Sequence, residues 1–338
     1  MSTKNQKLFI SGGSGFIGHH VIDYALKNTA WDIVSIDMPM RARNPARLAE
    51  ILTGKNKKRV SIIYYDLQKP LEENLRKKIG NPDYMLHLAA SSSVPQSIGN
   101  PLPFVMNNVL ATMNILEYAR ALTKNHTLKK FINFSTVEVF GPARNGYSHK
   151  EEDAYNPSNP YAASKASQAS LGRAYATSFE LPVITTFTMN TFGERQYPEK
   201  FIPTVIRSVR EGKAVPIFAE LDDRGKLKTI GSRYWIYAQN TASALLFLLK
   251  KGKNGESYNI VGFDEYNNLE IAQKISGIIG MPLRHEFVDY RKHNPGHENR
   301  YALDGTKIKN MGWSPEITFD KAMERVVTFT LHNPEWLA

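Results

Sequence analysis

The chain has 338 residues, of which 42% are hydrophobic and 22% charged, as expected for a globular protein with a full core. It contains no cysteine, which excludes disulfides, thiol catalysis and cysteine-ligated metals. No segment has the length and apolar character of a membrane span, and residues 1–7 lack the apolar stretch of a signal peptide. We therefore expect a cytoplasmic protein that has no membrane partner.

The net charge of +11 leaves three interpretations open. It can reflect a solvated, lysine-rich surface, the attraction of an anionic small molecule such as a diphosphate, or nucleic-acid binding. The densest basic run, at residues 55–59, falls in a predicted surface loop without interleaved aromatic residues. This context argues against a nucleic-acid partner.

Short apolar runs alternate with amphipathic stretches through the first half of the chain. The runs predicted to be buried strands are residues 8–10, 33–36, 60–63, 84–88, 131–134 and 183–187. Helical periodicity covers residues 17–27, 103–122 and 161–178. Strands that alternate with helices predict an α/β fold, a Rossmann-type doubly wound parallel sheet, over residues 1–190.

Beyond about residue 193 the pattern is less regular. Predicted helices cover residues 201–211, 241–250, 269–279 and 319–331. Short strands are predicted at 235–237 and 258–260, within a segment of about 234–262 that we expect to return to the main sheet. Residues 191–338 are predicted to form a smaller C-terminal α/β lobe that closes over the sheet.

A glycine-rich turn follows the first predicted strand and opens the first predicted helix. It contains Gly12, Gly15 and Gly18, with Phe16 and Ile17 between the last two. Glycine permits a sharp turn and a close approach to a pyrophosphate, which the helix N-terminus then faces. In this strand–turn–helix context the spacing predicts a dinucleotide cofactor site.

Asp37 ends the second predicted strand, where a carboxylate accepts hydrogen bonds from ribose hydroxyls and repels a 2′-phosphate. This favours NAD, while the nearby Arg41 and Arg43 leave NADP open. Asp66 is either an adenine contact or a cap at the end of the third strand. The remaining predicted cofactor contacts are Leu67, Leu88, Ala89 and Ala90.

Tyr161 and Lys165 stand four residues apart, on one face of a predicted helix that Pro160 opens. We expect the lysine to lower the pKa of the phenol, so that the tyrosine takes a proton from a hydroxyl near neutral pH. Thr136, at the end of the fifth predicted strand, can hydrogen-bond the same hydroxyl. Together these residues predict an oxidoreductive step on an alcohol.

These patterns resemble the extended short-chain dehydrogenase/reductase family nearly end to end, and within it the dTDP-glucose 4,6-dehydratases. Four segments carry the resemblance: residues 135–141, 190–203, 233–237 and 294–304. It implies an NAD-dependent enzyme acting on a UDP- or dTDP-linked hexose, a nucleotide-sugar-binding C-terminal lobe, and no metal. It also implies a homodimer packed through the helices at 103–122 and 161–178.

The resemblance also implies the residues that contact the nucleotide-sugar. They are Ser97, Asn190, Glu199, Lys200, Phe201, Ile202, Pro203, Arg233 and His297. Arg233 and His297 are expected near the phosphates or the base. A surface salt bridge is the alternative for Arg233, and a structural role is the alternative for His297.

The chain departs from this resemblance at several positions. Val137 follows Thr136 where the 4,6-dehydratases have an aspartate, regarded there as the acid that helps water leave C6. Phe187 and Asn294 stand where arginine is common, and Tyr234 replaces an aspartate. These departures bear on the nucleotide, the sugar and the final reaction.

Glu138 is expected to remove the C5 proton of a 4-keto intermediate, which favours a nucleotide-sugar dehydratase of the 4,6 type. Without an aspartate at position 137, the acid would be Glu138 in a double role or a bound water. A 5,6-dehydratase that leaves an exocyclic alkene and a 4-epimerase stay open, with a UDP-hexuronic acid decarboxylase ranked lower. A non-catalytic NAD-binding scaffold is the alternative from another class.

Overall fold

The computed structural model describes residues 5–38, 46–124, 128–293 and 300–338. Its centre is a seven-stranded sheet with the order β12-β6-β5-β4-β1-β2-β3, in which every neighbouring pair is parallel. The strands are β1 Lys7–Ser11, β2 Asp32–Asp37, β3 Val60–Tyr64, β4 Tyr84–His87, β5 Lys130–Thr136, β6 Val183–Thr188 and β12 Ser257–Ile260. The predicted parallel Rossmann sheet is confirmed.

Helices cover both faces of this sheet. They are α1 Phe16–Asn28, α2 Ala46–Ala49, α3 Glu73–Ile79, α4 Val94–Gly99, α5 Leu102–Val105, α6 Ala111–Thr123, α7 Pro160–Phe179 and α9 Ala238–Lys251. The strands are apolar on both faces because both are covered. Leu8 and Ile10 belong to the core beneath α1 and α9, whereas Phe9 belongs to the core beneath α6 and α7.

The predicted helix at 103–122 is interrupted. A π-helical turn, Met106–Leu110, joins α5 to α6. Asn108 in this turn is fully buried, and its amide donates to Ser164 Oγ at 2.9 Å and to the Ser91 carbonyl at 3.1 Å. π-turns inside helices are frequent at functional sites, and this one ties the helix to α7.

The rest of the chain forms a second core from three helices and several short strands. The helices are α8 Phe201–Arg210, α10 Asn268–Ile279 and α13 Phe319–His332. Two further helices are α11 Tyr290–His293 and α12 Thr306–Asn310. Short 3-10 helices cover Gly54–Arg59, Val137–Phe140 and Pro334–Leu337.

Three small sheets surround this second core. The strands are β7 Thr191–Phe192, β8 Val215–Leu221, β9 Leu227–Ile230, β10 Ser232–Tyr234, β11 Ile236–Tyr237, β13 Glu265–Asn267, β14 His285–Asp289 and β15 Arg300–Tyr301. They group as β14-β8-β9, β13-β10-β15 and β11-β7. Of the two short strands predicted here, β12 joins the main sheet beside β6, whereas β11 pairs with β7. The division into 1–190 and 191–338 stays a prediction.

The basic run at residues 55–59 is not a loop. It is a 3-10 helix, and the Arg59 guanidinium donates to the carbonyls of Leu26, Thr29 and Trp31. This arginine caps the end of α1 and so serves the fold.

The described residues contain neither a membrane-spanning helix nor a metal-binding cluster. No helix there is both long and apolar enough to cross a membrane. Those residues also hold no cluster of three or more His, Cys, Asp or Glu side chains suited to a metal ion.

Candidate active site

The glycine-rich turn between β1 and α1 is shaped by close backbone contacts. Gly12 has φ +79°, and a Cβ there would lie 2.9 Å from the Ala89 amide nitrogen. A Cβ at Gly18 would lie 2.1 Å from the Gly12 carbonyl oxygen. Larger residues at these two positions would push the turn away from β4 and from α1, so the narrow turn depends on glycine.

A cavity of about 330 Å³ opens at the carboxyl ends of the sheet strands, in front of this turn. Such crevices bind ligands in open parallel α/β sheets. All but one of the predicted cofactor residues line it: Gly12, Gly15, Phe16, Ile17, Gly18, Asp37, Leu67, Leu88, Ala89, Ala90, Tyr161 and Lys165. The exception is Asp66, whose carboxylate accepts the Gln68 N–H at 3.0 Å in a turn after β3. This hydrogen bond fits a strand-end cap, and an adenine contact of Asp66 stays a prediction.

Asp37 links the glycine turn to β2. Its carboxylate accepts the Ser14 N–H at 2.9 Å and the Ser35 hydroxyl at 2.6 Å. Burial raises the pKa of Asp37, and these hydrogen bonds oppose that rise. The carboxylate lies at the cavity wall with lone pairs left for further donors.

Tyr161 lies in the first turn of α7. The helix begins there because the Asn159 side chain accepts the Ala162 N–H at 2.8 Å and Pro160 occupies the first helical position. The Thr136 hydroxyl hydrogen-bonds the phenol, and the charge of Glu138 acts on it. The expected proximity of the three side chains is thus present in the structure.

The pKa of Tyr161 is raised, chiefly by burial and next by the negative charge of Glu138, while the Thr136 hydrogen bond opposes the shift. The expectation that Lys165 lowers this pKa is wrong for the protein alone. The Lys165 ammonium instead donates to the Phe134 carbonyl at 2.6 Å and to Gln168 Oε1. Burial lowers the pKa of Lys165 to about 7.

Positions 136–138 divide between the cavity and the core. Thr136 and Glu138 line the cavity, whereas Val137 is 1% exposed and packs in the core beneath α1 and α9. The turn is held by the Glu138 N–H, which donates to Thr136 Oγ1 at 3.4 Å. Position 137 therefore points away from the reacting groups.

Phe187, at a position where the family often has arginine, also lies in the core. Its ring packs edge-on against Phe140, with centroids 4.8 Å apart. Neither Val137 nor Phe187 is one of the residues that line the cavity.

Some of the predicted substrate residues line the cavity and others lie outside it. Asn190 and Lys200 line the cavity, and the Lys200 ammonium donates to the Ser92 carbonyl at 3.2 Å. Burial lowers the pKa of Lys200, and the charges of Glu199 and Glu138 oppose the shift. Lys200 therefore lies within the electrostatic reach of Glu138.

Ser97, a predicted substrate contact, is not one of the residues that line the cavity. It is fully buried, its hydroxyl donates to the Val94 carbonyl at 2.7 Å, and it accepts the Tyr161 N–H at 3.2 Å. Since α4 packs against α7, this serine fixes the start of the catalytic helix and does not line the cavity.

Of residues 198–203, Lys200 lines the cavity and the others do not. Glu199, Phe201, Ile202 and Pro203 do not line the cavity: Glu199 is exposed and Ile202 belongs to the second core. Phe201 stacks against Trp235, with ring centroids 6.1 Å apart. These residues start α8 and so place Lys200.

Arg233, on β10, is 4% exposed and outside the cavity lining, with its guanidinium 5.5 Å from the centre of the Tyr301 ring. Burial lowers its pKa, and the charges of Tyr301 and Glu138 oppose the shift. A surface salt bridge, the alternative interpretation of Arg233, does not fit this buried position. His297, Asn294, Arg41 and Arg43 lie outside the described residues.

Apart from Asn190, the cavity residues described next were not predicted individually. Thr188 Oγ1, Asn190 Oδ1 and Gln196 Oε1 are buried and have no hydrogen-bond partner among the described residues. All three residues line the cavity, as do Tyr197, Thr191 and Ser92. Because buried polar atoms are normally paired, these oxygens indicate that a polar ligand completes the site. Gln196, Tyr197 and Thr191 lie in the 190–203 segment that the resemblance singled out.

Comparison with known proteins places these features in a family. The family model described as GDP-mannose 4,6 dehydratase matches residues 9–326. A dTDP-glucose 4,6-dehydratase of Salmonella typhimurium is 35% identical, over 98% of this chain and 94% of that protein.

Solved structures agree with this assignment. A dTDP-glucose 4,6-dehydratase from Bacillus anthracis in complex with NAD superposes with a TM-score of 0.84 at 29% identity, covering 98% of each chain. A UDP-glucuronic acid 4-epimerase from Bacillus cereus in complex with UDP-glucuronic acid and NAD has a TM-score of 0.84 at 25% identity, covering 97% of this chain and 100% of that one. The family match spans most of the sequence, and the glycine turn, the Tyr161/Lys165 pair and Glu138 share one cavity: the chain belongs to the nucleotide-sugar 4,6-dehydratase family of the extended short-chain dehydrogenases/reductases.

Proposed function

We propose that this protein is an NAD-dependent nucleotide-sugar dehydratase of the 4,6 type, acting on a dTDP- or UDP-linked hexose. The observation that carries the proposal is that Thr136, Glu138, Tyr161 and Lys165 line the cavity that the glycine turn opens. A carboxylate beside the phenol supplies the second proton transfer that dehydration requires and epimerisation at C4 does not. The two dTDP-glucose 4,6-dehydratases described above are also more similar in sequence to this chain than the 4-epimerase is.

The residues present fit NAD. The glycine turn leaves room for a pyrophosphate, the Asp37 carboxylate is suited to ribose hydroxyls, and unpartnered oxygens line the rest of the cavity. Bound NAD supplies a reversible hydride acceptor. The buried negative charge of Asp37 disfavours a 2′-phosphate, so NAD is favoured over NADP.

Tyr161 begins the reaction by taking the proton of the sugar 4-hydroxyl, as the C4 hydrogen leaves. Thr136, which hydrogen-bonds the phenol, orients the 4-oxygen. Lys165 holds the cofactor and adds positive charge near the phenolate. The resulting 4-keto group acidifies the C5 proton.

Glu138 removes that C5 proton and passes it to the C6 oxygen, which departs as water. Val137 does not face the cavity, so Glu138 acts as both base and acid. The C4 hydrogen returns at C6, and the proton held by Tyr161 returns to C5 through solvent. The net change is the loss of one water and the formation of a 4-keto-6-deoxy sugar.

The test is the fate of a deuterium placed at C4 of dTDP-glucose and of UDP-N-acetylglucosamine, followed by mass spectrometry and NMR. The 4,6 reaction gives a product one water lighter with the label at C6. Label retained at C4 together with an exocyclic alkene would identify 5,6-dehydration. A product of unchanged mass would identify an epimerase and contradict the proposed role of Glu138.

We propose that Asn190 and Lys200 contact the sugar nucleotide directly, because both line the cavity and the charge of Glu138 acts on Lys200. Phe201, Ile202 and Pro203 support Lys200 from the start of α8. Arg233 and His297 remain predicted contacts of the phosphates or base.

Lys200→Met is expected to raise KM more than about tenfold through the loss of a charged contact, whereas Lys213→Met, on the exposed surface, should leave KM unchanged.

A homodimer is part of the same proposal. Five large apolar side chains on α5, the π-turn, α6 and α7 are at least 40% exposed: Leu102, Val105, Met106, Met113 and Phe179. A second copy of the chain would cover this patch by forming a helix bundle. Leu102→Glu is expected to yield monomers in light scattering, while Leu227→Glu, on β9, should not. A dimer that persists in the Leu102 variant would place the interface elsewhere.

The cytoplasm stays the predicted location of the protein. The absence of cysteine from the sequence fits a reducing compartment.

A further inference from the structure

The position of Lys165 is set by two acceptors buried behind the cavity. Its ammonium donates to the Phe134 carbonyl on β5 at 2.6 Å and to the side-chain oxygen of Gln168, one turn further along α7. Lys165 is 3% exposed and Gln168 is fully buried. An ammonium carries three N–H groups, so these two contacts leave one for a ligand in the cavity.

The orientation of the Gln168 amide is fixed by Asn133 on β5. Gln168 Nε2 donates to Asn133 Oδ1 at 2.9 Å, and Asn133 Nδ2 donates to the main-chain carbonyl of Gln168 at 2.8 Å. Because the amide nitrogen is held by an acceptor, the amide oxygen faces the lysine. A Cβ at Gly172 would lie 2.5 Å from Asn133 Nδ2, so α7 leaves space for this pair.

We propose that Gln168 is a positioning residue of the catalytic site: held by Asn133, it keeps the Lys165 ammonium charged and directs its remaining N–H toward the cofactor. The inference rests on the proposed NAD-dependent function. Gln168 touches neither cavity nor reacting atoms, and acts only through Lys165.

The electrostatic surroundings give this arrangement a measurable consequence. Among the described residues, Tyr161, Glu138 and Lys200 line the same cavity as Lys165, and His87 on β4 is affected by the charge of Lys165. Burial keeps His87 neutral, with its pKa lowered to about 3, and lowers the pKa of Lys165 to about 7. An acceptor favours the protonated amine, so loss of the Gln168 oxygen lowers the pKa of Lys165 further, and a carboxylate raises it.

The experiment measures NAD affinity by calorimetry between about pH 5.5 and 9, without sugar, for wild type, Gln168→Met and Gln168→Glu. Affinity that depends on the ammonium is present at low pH and is lost as the pH rises through the pKa of Lys165. We expect the midpoint of that loss to fall by roughly one pH unit in the methionine variant and to rise in the glutamate variant. Ser167→Ala, an exposed position on the same helix, is the matched control and keeps the wild-type midpoint.

Unchanged midpoints in both Gln168 variants would overturn the proposal. Shifts in the same direction for both would do so as well, because they indicate a general packing defect. The glutamate is isosteric with glutamine and tests the charge even if the methionine variant folds poorly. The binding experiment contains no sugar, whereas the dehydratase proposal is tested by the reaction product. Either proposal can therefore fail without the other.

Discussion

At the scale of single residues, the site is a group of ionisable side chains whose properties are set by burial. The phenol of Tyr161 has a raised pKa and the amine of Lys165 a lowered one, both chiefly because the groups are buried. Both shifts favour the neutral forms. We therefore expect Tyr161 to ionise only when a ligand such as NAD brings a positively charged group beside it, because that charge lowers the pKa of the phenol.

Replacement of the proton acceptor is the first test. Tyr161→Phe is expected to lower kcat by about 10²–10⁴-fold, because general acid–base catalysis contributes that much, while the NAD affinity measured by calorimetry changes little. Tyr147→Phe, at an exposed position, is the control. An active phenylalanine variant would exclude the phenol as the acceptor of the 4-hydroxyl proton.

The second test separates the two halves of the reaction. Glu138→Gln keeps the size of the side chain but cannot take the C5 proton, so dehydrated product should fall by about 10²-fold or more. Oxidation at C4 should still proceed, so a 4-keto hexose should accumulate together with reduced NAD, which is detected by its near-ultraviolet absorbance. Glu324→Gln, exposed on α13, serves as the control. Product formed at the wild-type rate by the Glu138 variant would remove this residue from the mechanism.

At the scale of elements, the backbone at the end of β5 determines which side chains face the cavity. The strand passes directly into a 3-10 turn, which presents Thr136 and Glu138 to the cavity and Val137 to the core. A family aspartate at position 137 therefore cannot be restored by substitution alone, because the local backbone points that side chain into apolar surroundings.

Val137→Asp is accordingly expected to destabilise the protein by about 2–4 kcal/mol, since it buries a carboxyl without partners, and to give no gain in kcat. Unfolding in urea would measure the loss, and Val137→Thr, similar in shape, should cost less. If the aspartate variant were as stable as wild type and faster, position 137 would have to reach the reacting atoms.

The elements also show what can be predicted from sequence. The strands of the main sheet and the helix of Tyr161 follow from local periodicity and from turn chemistry, and so does the glycine turn. β8 was missed because Pro216 argues against a strand there and because its partner β14 lies far along the chain. The position of Ser97 and the raised pKa of Tyr161 depend on burial by distant segments, which local pattern does not contain.

At the scale of the whole molecule, we expect the net charge of +11 to attract an anionic substrate. A nucleotide-diphospho-sugar carries negative charge, and long-range attraction raises its rate of encounter. We expect kcat/KM to fall severalfold as ionic strength rises from about 0.01 to 0.3 M, because the Debye length shortens, with kcat almost constant. A kcat/KM that is independent of salt would show that the charge is only a solvating surface.

The return of the chain to the main sheet has a consequence for its synthesis. β12 comes from residues 257–260 yet forms the edge beside β6, whose own residues end at position 188. While the chain emerges from the ribosome, the outer edge of β6 stays uncovered until residues 189–256, which include α8 and α9, have been made. An unpaired, apolar strand edge is a site for aggregation. The enzyme's vulnerable interval during translation is therefore set by the length of the segment inserted between two neighbouring strands, and fragments that end before residue 257 should be recovered as aggregates.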